Sequence, residues 1–122
     1  MQTEHLHIET PLIKSTPLSL KVEGTVWLKM EALQPSGSFK LRGLGHACQR
    51  YLSKGSKRFI SSSGGNAGIA VAYSGRKLGV PVTVVVPETT SQMAIKVIRS
   101  EKAEVAVKGK TWQEAHSYAL QL

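Results

Sequence analysis

The strongest constraint on the fold is a regular alternation of strand-like and helix-like segments in the second half of the chain. Short β-branched or aromatic runs begin at positions 59, 82 and 104, and a helix-like segment follows each of them. The run Val82–Val86 is almost continuously β-branched and stops at Pro87, which is typical of a strand covered on both faces. Because strand–helix–strand connections are right-handed, these segments predict an α/β fold: an open parallel sheet with helices on both faces.

The first third of the chain has a different pattern, with turn formers in place of long periodic runs. Two proline turns are predicted, at Thr10-Pro11 and at Thr16-Pro17. A strand is expected from Thr25 to Met30, and a loop follows it at positions 34–38.

Four helices are predicted from the spacing of apolar residues and from capping residues. Their expected spans are 39–54, 68–78 with Gly79 as the cap, 91–102, and from Trp112 to the end of the chain. The last helix is expected to be still running at Leu122. We therefore expect these residues to be the first part of a longer protein.

The charge composition raises a nucleic-acid-binding hypothesis. The 122 residues include 16 Lys and Arg against 8 acidic residues, all of them Glu, which gives a net charge of +8. The basic residues are spread over the ends of separate helices, where the helix dipole favours them, and aromatic residues are not interleaved with them. We therefore expect no nucleic-acid partner.

The sequence also limits location and metal chemistry. The N-terminus lacks a secretory signal, and no apolar run approaches the roughly 20 residues of a membrane span. We expect a cytoplasmic protein with no membrane partner. No metal site is predicted, because neither clustered carboxylates nor Cys ligands accompany the histidines His5, His7, His46 and His116.

Other reactive or large side chains are given structural interpretations. Cys48, the single cysteine, excludes an intramolecular disulfide and lies on the apolar face of its helix, so it is expected in the core. Ser62 and Ser63 lack the sequence of a nucleophile elbow. Trp27 and Trp112 are expected in the core.

Lys40 is the first candidate for chemistry. It follows Ser38, the expected N-cap of the first predicted helix, and so lies in the first helical turn. The positive end of the helix dipole and the neighbouring Arg42 both disfavour a charged ammonium group there. A lysine so placed is suited to forming a covalent bond with a carbonyl compound. On position alone, a surface lysine that reaches into water is an open alternative.

The segment Ser61–Gly68 is the second candidate, because it joins a strand to a helix through consecutive serines and glycines. Successive N–H groups at a helix N-terminus form a cradle for a carboxylate or a phosphate, and the Asn66 amide can donate to a bound oxygen. The spacing matches neither a dinucleotide fingerprint nor a P-loop. A helix start with glycines for close packing is an equally open interpretation.

Taken together, the two segments resemble a known family. The sequence PSGSFKLRG at Pro35–Gly43, followed by SSGGNAG at Ser62–Gly68, is similar to the fold-type II pyridoxal-phosphate enzymes. The resemblance is strongest to the L-serine dehydratase and L-threonine deaminase group, including its serine dehydratase-like members. It extends from Thr10 to Gly109, and the two motifs in this order make it specific.

The resemblance implies roles for individual residues. It implies pyridoxal 5'-phosphate bound covalently to Lys40, with the ring against Phe39 and the Asn66 amide at the 3-hydroxyl oxygen. It implies that the substrate carboxylate is held by Ser63, Gly64, Gly65 and Asn66. The implied reaction converts L-serine to pyruvate, or L-threonine to 2-oxobutanoate, with release of ammonia.

The resemblance also implies how the chain is organised. Residues 1–34 would belong to the large cofactor-binding domain, and residues 35–122 would form most of a small α/β domain that is incomplete at its C-terminus. Family members exceed 300 residues and bind the cofactor phosphate and a monovalent cation beyond position 122. We therefore expect a full-length homodimeric ammonia-lyase, and a 122-residue chain that alone binds the cofactor poorly and does not turn over. A cysteine synthase or threonine synthase relative, a non-catalytic truncated product and a basic binding module are the alternatives.

Overall fold

The computed structural model describes residues 4–122. Its secondary structure alternates along most of the chain. In chain order the elements are β1 (Leu12–Lys14), α1 (Thr16–Val22), β2 (Trp27–Lys29), a 3-10 turn (Glu31–Leu33), α2 (Lys40–Ser53), β3 (Phe59–Ser61), α3 (Asn66–Leu78), β4 (Val82–Val86), α4 (Gln92–Ser100), β5 (Glu104–Val107) and α5 (Trp112–Ala119).

A three-stranded parallel sheet with the order β3-β4-β5 organises the second half of the chain. Phe59 pairs with Val82 across the first strand pair, and Thr83 pairs with Glu104 across the second. Every residue of the central strand β4 is buried. This explains its unbroken β-branched sequence, because both of its faces contact helices.

Helices cover the two faces of this sheet. On one face, Val84 packs in the main core cluster with side chains of α3 and α4, including Ile95 and Ile98. On the other face, Val85 packs against Ala115 and Ala119 of α5. The fold class predicted from the sequence, an open parallel sheet with helices on both faces, is thereby confirmed.

The N-terminal segment differs from the prediction. The turn expected at Thr16-Pro17 is the start of α1, which Ser15 caps by accepting a hydrogen bond from the Leu18 N–H at 3.4 Å. Proline is tolerated in a first helical turn because the N–H groups there have no partner within the helix. The sequence does not predict strand β1, which pairs antiparallel with β2, and β2 is shorter than expected.

The ends of the helices also differ from the prediction. α3 begins at Asn66, two residues earlier than expected, and ends at Leu78; the predicted cap Gly79 follows it with a left-handed φ of 69°. α5 ends at Ala119, so the expectation that this helix is still running at Leu122 is wrong. The Gln121 and Leu122 N–H groups bond to carbonyls three residues back, which is the tighter geometry common at helix ends.

Candidate functional site

Lys40 and Phe39 lie together at the start of α2. Both side chains are exposed, Phe39 to 61%, and Lys40 Nζ is 5.7 Å from the centroid of the Phe39 ring. The predicted N-cap is wrong, since Phe39 occupies that position and α2 has no side-chain cap. The amine and the aromatic face therefore border one solvent-accessible space.

The loop before Lys40 carries two buried hydroxyl groups that lack partners. Ser36 Oγ and Ser38 Oγ are buried, and neither makes a hydrogen bond within the described residues. Gly37 between them has a φ of +82°, a conformation that favours glycine. Buried polar groups in proteins are almost always satisfied, so these two hydroxyls are available to a group that binds beside Lys40.

A polar network fixes the loop and the first turn of α2 to the N-terminal segment. The Arg42 guanidinium donates to Glu31 at 2.7 to 3.1 Å, and Glu31 also accepts from Thr10 and Gln34. The bonds from Arg42 are the main reason that the pKa of Glu31 falls to about 2. The Gln34 side-chain amide in turn accepts a hydrogen bond from the Ile8 N–H at 2.9 Å and donates one to the Ile8 carbonyl at 2.8 Å.

The Ser63–Asn66 segment forms the predicted link between a strand and a helix start. Gly65 is the N-cap of the 13-residue helix α3, and no side chain caps that helix. Ser63 Oγ accepts a hydrogen bond of 3.3 Å from the Gly65 N–H, and the Asn66 side chain is exposed. An uncapped N-terminus of this kind favours an anion, because its N–H groups and the helix dipole both attract negative charge.

Two glycines allow this loop to pack closely against its surroundings. A Cβ atom on Gly68 would lie 1.8 Å from the Ser63 carbonyl oxygen, and one on Gly64 would lie 2.8 Å from Thr90 Cγ2. Both distances are too short for a side chain. The glycines therefore let the loop fold back onto α3 and onto the segment that follows β4.

The two candidate segments lie at corresponding ends of adjacent helices. Leu41, the residue after Lys40, is fully buried in a cluster with Ala70 and Tyr73 of α3. Ala70 is one helical turn beyond Asn66. This packing brings the first turn of α2, which carries the Lys40 amine, close to the start of α3, where no side chain caps the backbone N–H groups.

Sequence reasoning missed one part of this region. Trp112, expected in the core, is 49% exposed, and its indole N–H donates to the Ser62 carbonyl at 2.7 Å. The Ser62 Oγ lies 2.8 Å from His116 Nδ1. These partners are 50 and 54 residues apart in the chain, and no motif of the sequence indicates their contact. Trp27, the other tryptophan expected in the core, is 55% exposed.

Cys48 and the histidines match a structural interpretation more closely. Cys48 is 4% exposed, and burial raises the pKa of its thiol, which disfavours the reactive thiolate. No group of three His, Cys, Asp or Glu residues in positions 4–122 is arranged to hold a metal ion. In that same stretch, no helix is long and apolar enough to cross a membrane.

Comparison with known families gives the decisive observation. The family model described as "Pyridoxal-phosphate dependent enzyme" matches residues 3–122. The chain belongs to this family. Pyridoxal phosphate is the cofactor of the family, and the site residues fit it chemically: an accessible amine beside an aromatic face, two buried hydroxyls without partners, and an uncapped helix start.

Individual members of the family are similar over almost the whole chain. The human protein "Serine dehydratase-like" is 50% identical over 119 residues, and human "L-serine dehydratase/L-threonine deaminase" is 48% identical over 119 residues. Each match covers 98% of this chain and 36% of the relative, so the chain spans about a third of the length of these relatives.

A solved structure has the same fold. The fungal L-serine ammonia-lyase from Rhizomucor miehei matches with a TM-score of 0.89 and 36% identity, over 98% of this chain and 38% of that protein. This similarity extends the family assignment from sequence to three-dimensional architecture.

Proposed function

We propose that this chain supplies the lysine and the carboxylate-binding loop of a pyridoxal-phosphate-dependent ammonia-lyase. The substrate is L-serine, and L-threonine as well. The overall reaction converts L-serine to pyruvate and ammonia, through loss of the β-hydroxyl as water and hydrolysis of the remaining carbon–nitrogen bond. The observation that carries the proposal is the 50% identity to the serine dehydratase-like protein, in a chain that brings Lys40 and Asn66 to adjacent helix starts.

Each site residue has a separate task in this proposal. Lys40 Nζ would hold the cofactor covalently, and its amine is the group placed to take the α-proton of a bound amino acid. Phe39 would lie against the cofactor ring, and the Asn66 amide would donate to its 3-hydroxyl oxygen. When bound, pyridoxal phosphate supplies the electron-withdrawing system that stabilises negative charge on the α-carbon.

The substrate carboxylate is the anion assigned to the uncapped start of α3. Ser63, Gly64, Gly65 and Asn66 surround this position. The glycines at 64 and 65 allow backbone N–H groups to approach a bound oxygen without interference from side chains. A carboxylate at this helix start is stabilised by the dipole, which also fixes its orientation relative to Lys40.

The domain organisation is part of the same proposal. Residues 1–34 belong to a large cofactor-binding domain, and residues 35–122 form most of a small α/β domain. Exposed apolar side chains in the N-terminal segment support this division, since Leu20 is 77% exposed and Val22 is 62% exposed. We further propose that the whole protein is a cytoplasmic homodimer that acts on small amino acids, and that the 122-residue chain alone does not turn over.

The covalent role of Lys40 is tested on the chain itself. We expect incubation with excess pyridoxal phosphate followed by borohydride reduction, which traps even a weakly populated adduct, to attach the cofactor to Lys40, identified by peptide mass spectrometry. Lys40→Ala should abolish this attachment. Lys54→Ala, at the opposite end of the same helix, is the matched control and should leave it unchanged. Equal labelling of several surface lysines, with Lys40 not preferred, would contradict the assignment.

The reaction is tested on an extended protein, in which this chain replaces the matching 119 residues of the human serine dehydratase-like protein. We expect pyruvate and ammonia to form from L-serine and this activity to be lost in Lys40→Ala. Formation of cysteine from O-acetylserine and sulfide, without pyruvate from L-serine, would instead assign the chain to a cysteine synthase.

A further inference from the structure

Helix α5 holds Ser62 through both its side chain and its main chain. The Ser62 Oγ lies 2.8 Å from His116 Nδ1, and the Ser62 carbonyl accepts a 2.7 Å hydrogen bond from Trp112 Nε1. The rings of Trp112 and His116 stack with centroids 4.7 Å apart and an interplanar angle of 12°. Trp112 and His116, one helical turn apart on α5, therefore both contact Ser62, which lies in the loop after β3.

Ser62 controls where the carboxylate-binding loop leaves the sheet. β3 ends at Ser61, and the segment Ser63–Gly65 begins directly after Ser62. Gly64 and Gly65 have no side chains with which to hold the loop in place. The hydrogen bond from the Gly65 N–H to Ser63 Oγ is local and exposed. Besides the close packing of Gly64 on Thr90 and of Ser63 on Gly68, the contacts of Ser62 tie this loop to the rest of the fold.

The helix that holds Ser62 is itself firmly packed. Ala115 is fully buried and Ala119 is 9% exposed, and both lie in one cluster with the fully buried Val85 of the central strand. His116 follows Ala115 directly. The contact to Ser62 thus connects the loop to the centre of the sheet.

We infer that His116 is a positioning residue, which acts through Ser62 to hold the Ser63–Gly65 loop in the conformation that binds the substrate carboxylate. The inference rests on the proposed function for its substrate, and on the contacts of α5 for its mechanism. A nucleophile–base pair is disfavoured as an alternative, because the chain contains no Asp to orient the histidine and an indole ring stacks on it.

Two substitutions separate the hydrogen bond from the ring. His116→Phe keeps a ring that can stack on Trp112 and removes the bond to Ser62. His116→Asn removes the ring but retains a polar atom at the position of Nδ1, so it can restore the bond. Ser62→Ala removes the bond from the other side, and Ser117→Ala, an exposed change on the same helix, is the matched control.

The first measurement is hydrogen exchange of two protected protons that report on the loop, the Trp112 indole N–H, which donates to the Ser62 carbonyl, and the Ile69 amide, which donates to the Gly65 carbonyl at 3.1 Å. It uses the 122-residue chain and does not depend on any activity. We expect exchange to rise about fivefold in His116→Phe and in Ser62→Ala, the effect of losing one hydrogen bond. His116→Asn should return exchange toward that of the unchanged chain, and Ser117→Ala should not alter it. The double variant Ser62→Ala/His116→Phe should be no worse than either single variant, since both remove the same bond.

The second measurement is the kinetics of the extended protein with L-serine. We expect His116→Phe to raise KM about fivefold with little change in kcat, because the loop binds the carboxylate while Lys40 carries the chemistry. Attachment of pyridoxal phosphate to Lys40 should be unchanged. A loss of kcat and of cofactor attachment together would indicate general damage and would overturn the positioning role.

The outcomes distinguish this inference from the proposed function. If the unchanged extended protein turns over L-serine but His116→Phe alters neither exchange nor KM, the inference fails and the proposed function stands. If exchange rises as expected but no variant acts on L-serine, the proposed function fails while the structural link is supported. Labelling of Ser62 by a fluorophosphonate, lost in His116→Phe, would assign a nucleophile and overturn the positioning role.

Discussion

The α/β unit of residues 35–122 and the N-terminal segment before it differ in how far they bury their apolar side chains. In the α/β unit, Val84 and Ile98 are fully buried between the sheet and its helices. In the N-terminal segment, all three residues of β1 and all three of β2 are exposed, and Ser19 is the buried residue of α1. One region has its own core, whereas the other presents apolar surface without enclosing it.

The difference shows how the N-terminal segment is held. A two-stranded pair with no apolar core is marginal on its own, so other contacts must fix it. Besides the packing of Leu6 on the Leu41 cluster, those contacts are polar and lead to α2 and to the loop before Lys40: Glu31 bonds to Arg42, and Gln34 bonds to Ile8. Stability in the two regions therefore has different physical origins, which substitutions in each region can separate.

The largest expected effect is in the core of the α/β unit. Ile98→Ala removes a fully buried side chain, so we expect a loss of about 2 to 5 kcal/mol in the free energy of unfolding. Leu20→Ala, at a side chain that is 77% exposed, should change it by less than about 0.5 kcal/mol. Urea unfolding followed by circular dichroism measures both. A comparable loss from the two changes would contradict the contrast between the regions.

The next effect concerns the Ser63–Gly65 loop, which is proposed to bind the substrate carboxylate. Gly68→Ala places a Cβ within 1.8 Å of the Ser63 carbonyl oxygen, so the loop or the helix must move, at a cost of about 1 to 3 kcal/mol. Gly43→Ala is the matched control, because a Cβ on that helical glycine would meet nothing within 4 Å, and it should stabilise by about 0.5 to 1 kcal/mol. Thermal unfolding measures both changes, and a neutral Gly68→Ala would show that the loop adapts freely.

The contrast also explains which parts of the fold are predictable. β4 and its neighbours are buried, so their β-branched sequence carries a local signal that predicts a parallel sheet. β1 and α1 are exposed and short, so neither has an apolar pattern; the triplet Ser15-Thr16-Pro17 has the composition of a turn although it starts a helix. The sequence pattern that predicts secondary structure is therefore strong in buried segments and weak in a segment that lacks a core.

The candidate site likewise contains some residues that the sequence predicts and others that it does not. Lys40 and Asn66 stand in contiguous motifs at predicted helix starts, so their sequence neighbours indicate them. The contact of Ser62 with His116 is formed only when α5 packs on the sheet, 54 residues further along the chain. A lone histidine in a helix gives no sequence signal for such a partner. The expected cap at Ser38 is wrong because local composition does not determine which residue begins the helix.

An effect of intermediate size is expected for the polar link between the two regions. Bonds from Arg42, with help from Thr10 and Gln34, lower the pKa of Glu31 from 4.5 to about 2 in the folded chain. A lowered carboxyl pKa stabilises the fold above the ordinary pKa of 4.5, and this stabilisation is lost as the pH falls from 4.5 through about 2. We expect the free energy of unfolding, measured with urea, to fall as the pH is lowered across that window, and to fall less in Glu31→Gln.

The control for this acid effect is Glu23→Gln, which alters an exposed glutamate at the end of α1. It should retain the pH dependence of the unchanged chain. If Glu31→Gln and the unchanged chain lose stability in parallel between pH 4.5 and 2, the link between Glu31 and Arg42 contributes nothing to it.

The smallest effect compares two matched helix ends, one in each region. Glu23 ends α1 with a φ of 52°, and Lys102 follows α4 with a φ of 59°, a left-handed conformation that favours glycine. We expect Lys102→Gly to stabilise the α/β unit by about 0.5 to 1 kcal/mol, as measured by urea unfolding. Glu23→Gly relieves the same strain, but in a segment without a core it should slow hydrogen exchange of α1 without changing global unfolding. Equal gains in global stability at both positions would mean that the segment and the α/β unit unfold together, because only a shared transition transmits a local gain to the whole chain.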